Sequence, residues 1–185
     1  MFNHFEKYLS DFQFGFTKGR SCVSQLIPIF HEIGSLLDTN TEIDVLYLDF
    51  SKAFDLINHA KLLVKLKLYG ISGSLWEWFK DYLSNRKQYV VVDGAKSRFT
   101  SVISGVPQGS LLGPFHFALY VNDLPEVTSA GTRTVLFFDD TKCYLAQRSP
   151  QDHLMLQYDL NGLVSWSYDW DLNFNPSKCD VLKIS

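Results

Sequence analysis

From residue 21 to residue 37, Val23, Leu26, Ile27, Phe30, Ile33 and Leu37 recur at the spacing of one helix face, with Ser21 or Ser24 placed to cap it. This pattern predicts an amphipathic helix. "EIDVLYLDF" (42–50) is a compact run of β-branched and aromatic residues, which predicts a buried strand ending at Asp49. Two helices follow, one over 59–70, stopped by Gly70 in a left-handed cap, and one over 72–83 with Trp76, Phe79 and Leu83 on one side. Residues 87–104 read as two strands joined around Asp93-Gly94, a tight-hairpin signal. A loop with Gly105, Pro107 and Gly109 opens a helix near Ser110 that ends by Pro125. A strand pair at 133–147, a long helix from about 151 to 170, a turn at "NPSKC" and a last strand "DVLKIS" complete the order. With the inserted hairpin set aside, this is a βαββαβ split sheet. It is an α+β, ferredoxin-like plan of antiparallel strands with helices on one face.

The pair of acids inside "RTVLFFDDTKCYLA" (133–146) does not follow from that pattern. Asp139 and Asp140 repel each other, and Asp is a poor strand former. A hairpin turn alone would account for them. The split sheet adds another reason, because it carries the end of the first strand, Asp49, next to that turn. Three carboxylates are then expected to converge, and like charges so gathered are compensated by cations. Hard oxygens suit Mg²⁺, which takes one or two carboxylates plus substrate phosphates, and this points to phosphoryl transfer with two metal ions. Asp55 is expected on a different face, bonded to backbone amides.

Composition narrows the class. With 185 residues and 46% apolar content, the chain can bury the core of one domain. Its longest apolar run, near Leu111 to Val121, is broken by Gly113, Pro114 and His116, so no membrane span is expected. The opening "MFNHFEKYLSDFQF" lacks the layout of a secretory leader, and an intracellular location is expected, nuclear or cytoplasmic. Cys22, Cys143 and Cys179 are odd in number and far apart, which argues against a disulfide framework, and the five histidines have no zinc-site spacing. A net charge of −3 excludes a surface that binds nucleic acid all round. Lys and Arg number 12 against 11 acids in residues 1–100, but 5 against 9 in 101–185, so a basic track can lie beside an acidic pocket. Nothing in the sequence sets an oligomeric state.

"YLDFSKAFD" (47–55), "SGVPQGSLLGP" (104–114), "FFDD" (137–140) and "LNFNPSKC" (172–179), in that order, resemble motifs A to D of the reverse transcriptase palm. "QFGFTKGRSCVSQL" (13–26) resembles the fingers motif that precedes them in non-LTR retrotransposons of the LINE type. The resemblance implies an RNA-directed DNA polymerase that extends a DNA primer on an RNA template with deoxynucleoside triphosphates, using two Mg²⁺ ions, with Mn²⁺ as a substitute. It implies residues 1–41 as partial fingers and 42–185 as palm, with the hairpin near 87–104 inserted and with thumb and endonuclease absent. Carried over residue by residue, it makes Asp49 and Asp139 the main metal ligands, with Asp140 completing the acidic site. Phe54 falls at the aromatic gate that excludes a 2′-hydroxyl. Gln108 and Gly109 fall in the loop that meets template and nucleotide, Lys178 lies near the incoming triphosphate, and Lys18 and Arg20 belong to a basic fingers segment.

The chain departs from the family pattern in places. Phe138 stands where relatives carry a small residue; by strand alternation it shares a face with Asp140 and would crowd the nucleotide site. Thr17 replaces a basic residue, and "INHAKL" lacks a proline. Two other readings stay open. One is a non-catalytic polymerase remnant that at most binds nucleic acid weakly. The other is a receiver-like phosphoacceptor domain, which also pairs acids after a strand with a later lysine.

Overall fold

In the computed structural model, which describes residues 8–185, the run 42–50 forms β1 (Glu42–Leu48). Residues 1–7, which hold half of the stretch read for a leader, lie outside the described residues. β1 sits inside a four-stranded antiparallel sheet with β6 (Arg133–Phe137), β7 (Asp140–Gln147) and β8 (Asp180–Ile184), in the order β6-β7-β1-β8. This is the split βαββαβ order expected. The register pairs Leu48 with Thr141, Tyr47 with Lys142 and Tyr47 with Asp180, so β7, β1 and β8 bring their site ends together at one end of the sheet.

Between the strands lie α2 (Ala53–Leu56), α3 (His59–Leu68), α4 (Gly73–Leu83), α5 (Leu112–Tyr120) and the long α6 (Pro150–Asp169). They cover one face of the sheet, where Leu46, Leu48, Leu136, Cys143 and Leu145 meet Phe117, Leu156, Leu163 and Trp166 in the main core. The other face is not bare, contrary to the one-sided expectation. α1 (Cys22–Leu37) lays Ile29 and Ile33 on Ile43, Val45, Val135 and Tyr144. This explains why β1 is buried on both sides over most of its length. α1 starts where its sequence says it should, with a capping box between Ser21 and Ser24. The cover stops short of the acidic end, and Tyr47 stays 39% exposed there.

Asn58 takes the place of the missing proline after the first motif. Its side chain accepts the backbone N–H groups of Ala60 (3.0 Å) and Lys61 (3.2 Å), starting α3. The inserted hairpin is built from β2 (Lys87–Gln88), β3 (Val91–Val92), β4 (Ala95–Lys96) and β5 (Thr100–Ser101). At its tip Asp93 and Gly94 have φ of 49° and 82°, the pattern of the type I′ turn that their sequence signals.

Lys65 and His116 are buried polar side chains of these helices. Lys65 of α3 is 1% exposed; its ammonium donates to the Tyr120 carbonyl and meets Asp123 at 2.5 Å, with the Trp170 ring centroid 3.8 Å away. Burial pushes this lysine down to about 8, while Asp123 holds it up, so it stays protonated at neutral pH. His116 of α5 is fully buried between Phe79 and Phe115, and neither ring nitrogen has a hydrogen-bond partner among the described residues.

Burial, with a smaller push from His59, lowers His116 to about 4. Its folded value lies below its unfolded value, so between about pH 6.5 and 4 the unfolded chain takes up a proton that the folded chain refuses, and stability falls with pH in that window. Melting temperatures measured from pH 7 to 4 are expected to drop less steeply in His116→Phe than in the parent. An equal slope in both would assign the acid sensitivity to other groups.

Candidate active site

The site is assembled from four stretches of backbone. Asp49 follows the last residue of β1, and the segment after α6 is stitched against it: Ser51 N–H donates to the Asn173 carbonyl (2.9 Å), Asn175 N–H to the Asp49 carbonyl (2.8 Å), and the Phe50 and Phe174 rings stack at 4.5 Å. The turn that follows is closed by Lys178 N–H donating to the Asn175 carbonyl (2.9 Å) and by the Ser177 hydroxyl donating to Asn175 Oδ1 (2.7 Å). Lys178 is thereby delivered to the carboxylate. Its Nζ lies 3.0 Å from Asp49 Oδ2, a charge contact outside hydrogen-bond alignment, since that buried oxygen has no hydrogen-bond partner among the described residues.

Asp139 lies in the two-residue turn between β6 and β7, where Phe137 pairs with Asp140. Burial raises its carboxyl above the ordinary value; Asp140 and then Asp49 add repulsion, against which its own backbone N–H and Lys178 pull it down. Asp49 and Asp139 are therefore close enough to feel each other. Asp140 opens β7 with its side chain exposed. Asp139 thus feels both of the other carboxylates, although among the described residues no three His, Cys, Asp or Glu side chains gather closely enough to hold a metal ion. The donor set still fits a hard divalent ion, which needs only one or two carboxylates when substrate phosphates complete its shell, and Asp49 Oδ2, buried and met by the Lys178 cation alone among the described residues, is suited to it.

Phe138 corrects the sequence reading. Alternation holds only within a strand, and β6 ends at Phe137. Phe138 occupies the turn with φ 64° and is 9% exposed. Its ring packs on Phe16 (4.6 Å), Phe54 (4.8 Å) and Phe117 (4.8 Å), so it lies in the core beneath the candidate gate and not on the Asp140 face. Phe54 is half-buried, stacked on Phe117 at 5.5 Å.

The "QFGF" segment holds this turn from behind, a role that sequence reasoning missed. Phe14 N–H donates to the Leu136 carbonyl and Leu136 N–H to the Phe12 carbonyl, both at 2.8 Å, adding a short parallel bridge to β6. Fully buried Gln13 accepts the Gly15 N–H (2.8 Å) and the Phe138 N–H (3.3 Å) through Oε1. A Cβ on Gly15 would stand 2.5 Å from the Phe138 nitrogen, so only glycine allows the approach. The glutamine and glycine in a run of aromatics were the available signal.

Arg20 is spent on the same segment. Its guanidinium donates to the carbonyls of Ser10 (3.2 Å), Asp11 (2.7 Å) and Gln13 (2.7 Å) and to Asp11 Oδ1 (2.9 Å), local contacts that hold it against its own segment. Lys18 is exposed. The loop before α5 is zipped to the turn after β1: Gly105 N–H donates to the Ile57 carbonyl and Val106 N–H to the Phe54 carbonyl, each at 2.8 Å. Gln108 and Gly109 are exposed on this loop, and Gln108 Nε2 donates to Asp55 Oδ1 at 3.3 Å. Asp55 thus binds a side chain of the loop, where backbone amides were expected. Beside it opens a cleft of about 480 Å³ lined by Asp55, Gln108 and the hairpin root at Arg86 and Lys87.

Residues 1–184 match the family described as reverse transcriptase (RNA-dependent DNA polymerase). The chain is 32% identical over 180 residues to the probable RNA-directed DNA polymerase from transposon X-element of Drosophila melanogaster, covering 92% of this chain and 20% of that protein. It is 31% identical over 185 residues to the RNA-directed DNA polymerase from mobile element jockey of the same fly, covering 94% and 20%. The chain thus spans about a fifth of the length of these relatives. In fold it is similar to apo telomerase from Candida tropicalis, with a TM-score of 0.70 at 13% identity over 100% of this chain and 39% of that one. These matches leave no place for the receiver-like reading. With the four motifs folded around one acidic edge, the chain belongs to the reverse transcriptase family, among the polymerases of non-LTR retrotransposons.

Proposed function

We propose that this chain is the polymerase centre of an RNA-directed DNA polymerase that extends a DNA primer along an RNA template. The observation that carries the reading is the buried Asp49 oxygen at the open end of β1, which among the described residues has no hydrogen-bond partner and is met by a long-armed cation, Lys178, at 3.0 Å, with Asp139 near enough to repel it. Mg²⁺ ions, or Mn²⁺ in their place, would be held by Asp49 and Asp139 with Asp140 at the rim. When bound, such ions supply activation of the primer hydroxyl and charge on the leaving pyrophosphate.

The chain's own groups do the rest. Lys178, 64% exposed, can leave Asp49 for the triphosphate of the incoming nucleotide, so its positive charge serves the carboxylate when the site is free and the phosphates when it is filled. Phe54, backed by Phe117 and Phe138, closes the sugar side against a 2′-hydroxyl. Gln108 and Gly109 meet template and nucleotide from the loop.

The test is Mg²⁺-dependent extension of a DNA primer annealed to RNA, with the parent chain and Asp139→Ala. Extension by the parent, lost by at least about a thousandfold in Asp139→Ala, is the expected result, since a two-metal site loses its clamp with either ligand. A second reading, a folded remnant without catalysis, is favoured by the absence of three gathered ligands among the described residues. It predicts no extension and no rise in melting temperature with Mg²⁺ plus a deoxynucleoside triphosphate, whereas a competent site gains stability from both.

A further inference from the structure

The inserted hairpin is the least buried part of the described chain: every residue from 87 to 101 is exposed. Two features set its surface apart. Residues 86–103 hold Arg86, Lys87, Lys96 and Arg98 against the single acid Asp93, a net charge of +3 within a chain of −3. The register Lys87 to Ser101 and Gln88 to Thr100 then sets Tyr89 opposite Phe99, with ring centroids 5.0 Å apart at 73°. Lys96 Nζ lies 5.6 Å from the Tyr89 ring, and Lys87, exposed like both rings, stands two residues before Tyr89 in the chain. Tyr89 and Phe99 remain 42% and 68% exposed.

A cross-strand aromatic pair steadies a hairpin. That alone does not account for the excess of cations about the pair. Rings flanked by cations on an open groove are how single strands are gripped, with bases stacked on the rings and phosphates on the cations. The root of the hairpin, at Arg86 and Lys87, also lines the cleft that holds Gln108.

We propose that this face of the hairpin is a docking surface for a single-stranded nucleic acid, with bases on Tyr89 and Phe99 and phosphates on the neighbouring cations Lys87 and Lys96. The strand runs from there into the cleft at Gln108. The binding surface stands on the hairpin alone; only the identity of the strand, the unpaired template ahead of the site, rests on the polymerase reading.

Fluorescence anisotropy with a labelled, unstructured single-stranded RNA of about fifteen nucleotides tests it on the full chain. Tyr89→Ala and Phe99→Ala are each expected to weaken binding by at least about fivefold, the low end of what one stacked base contributes. Lys87→Glu with Lys96→Glu is expected to flatten the dependence of log affinity on log salt by about 0.7 for each phosphate no longer neutralised. Tyr89→Trp should bind as the parent does, and the alanine variants should lose no more stability than one cross-strand pair contributes, far too little to unfold the chain.

Asp139→Ala should also bind as the parent does. A failure of primer extension therefore leaves this proposal standing, and a failure of binding leaves the catalytic reading to its own test. Unchanged affinity in both alanine variants would overturn the proposal. So would concentration-dependent self-association, removed by Val90→Lys while RNA affinity holds, because the hairpin would then be covered by a second copy of the chain.

Discussion

Lys65→Ala is expected to cost about 3 kcal/mol of stability, near the low end of what breaking a buried ion pair costs. Asp123 is 30% exposed and still accepts the Trp166 indole N–H at 3.2 Å, so its stranded charge finds some relief in water. What is lost is larger than one pair. The ammonium ties α3 to the end of α5 through the Tyr120 carbonyl and lies between the Trp166 and Trp170 rings, at 4.8 and 3.8 Å, so three elements lose their common anchor. For a chain of 185 residues this corresponds to a fall in melting temperature of roughly 6–12 °C. Lys65→Met keeps the stem and should lose less. Lys65→Met with Asp123→Asn should recover stability over Lys65→Met alone, because the uncompensated carboxylate is gone. Equal melting temperatures for Lys65→Ala and the parent would show that the pair offers nothing over its desolvation.

Phe138→Ala is the second large effect, and its direction reverses the expectation from sequence. A bulky residue on the nucleotide face would relieve the site when trimmed. A ring buried against Phe16, Phe54 and Phe117 leaves a cavity instead, at a cost of about 3 kcal/mol. The positive φ of 64° is retained, so the backbone strain at the turn is not released along with the packing. Phe54 loses its backing as well. Urea unfolding should show the loss of stability, and primer extension should fall, with discrimination against ribonucleotides falling further than the rate with deoxynucleotides. Phe138→Met, which fills much of the space, should lie between. A gain of extension in Phe138→Ala would place the ring in the nucleotide's path after all.

Much of this architecture is legible in residue order. The type I′ turn at Asp93-Gly94, the Ser21 cap and the split-sheet order all follow from local chemistry, which acts over a few residues. The end of β1 and the acidic turn come out beside each other because strand pairing carries a local pattern across the sheet. What cannot be read are the places where one side chain answers a distant one. Phe138 falls on a strand face only if period-2 alternation is carried one residue past the end of β6. Arg20 reads as a free cation until three carbonyls of its own segment claim it. Lys65 leaves a trace, since it lies on the apolar stripe of α3 with Leu62 and Leu66, a position a lysine takes only with a partner. That the partner is Asp123 depends on how α3 and α5 cross, which no local pattern encodes.

The brace behind the acidic turn also bears on the order in which the molecule assembles. The bond from Phe138 N–H to Gln13 joins residues 125 apart, and the bridge from Phe14 to Leu136 spans nearly as many. Contacts of such separation form only after the long intervening loop has closed, and its entropy cost must be met first by the β1–β7 ladder and the helices between. During synthesis the segment 12–15 emerges early and must wait, unpaired, for β6 to leave the ribosome. The sheet can therefore close before its acidic turn is fixed, and the chain acquires its fold earlier than it acquires its site.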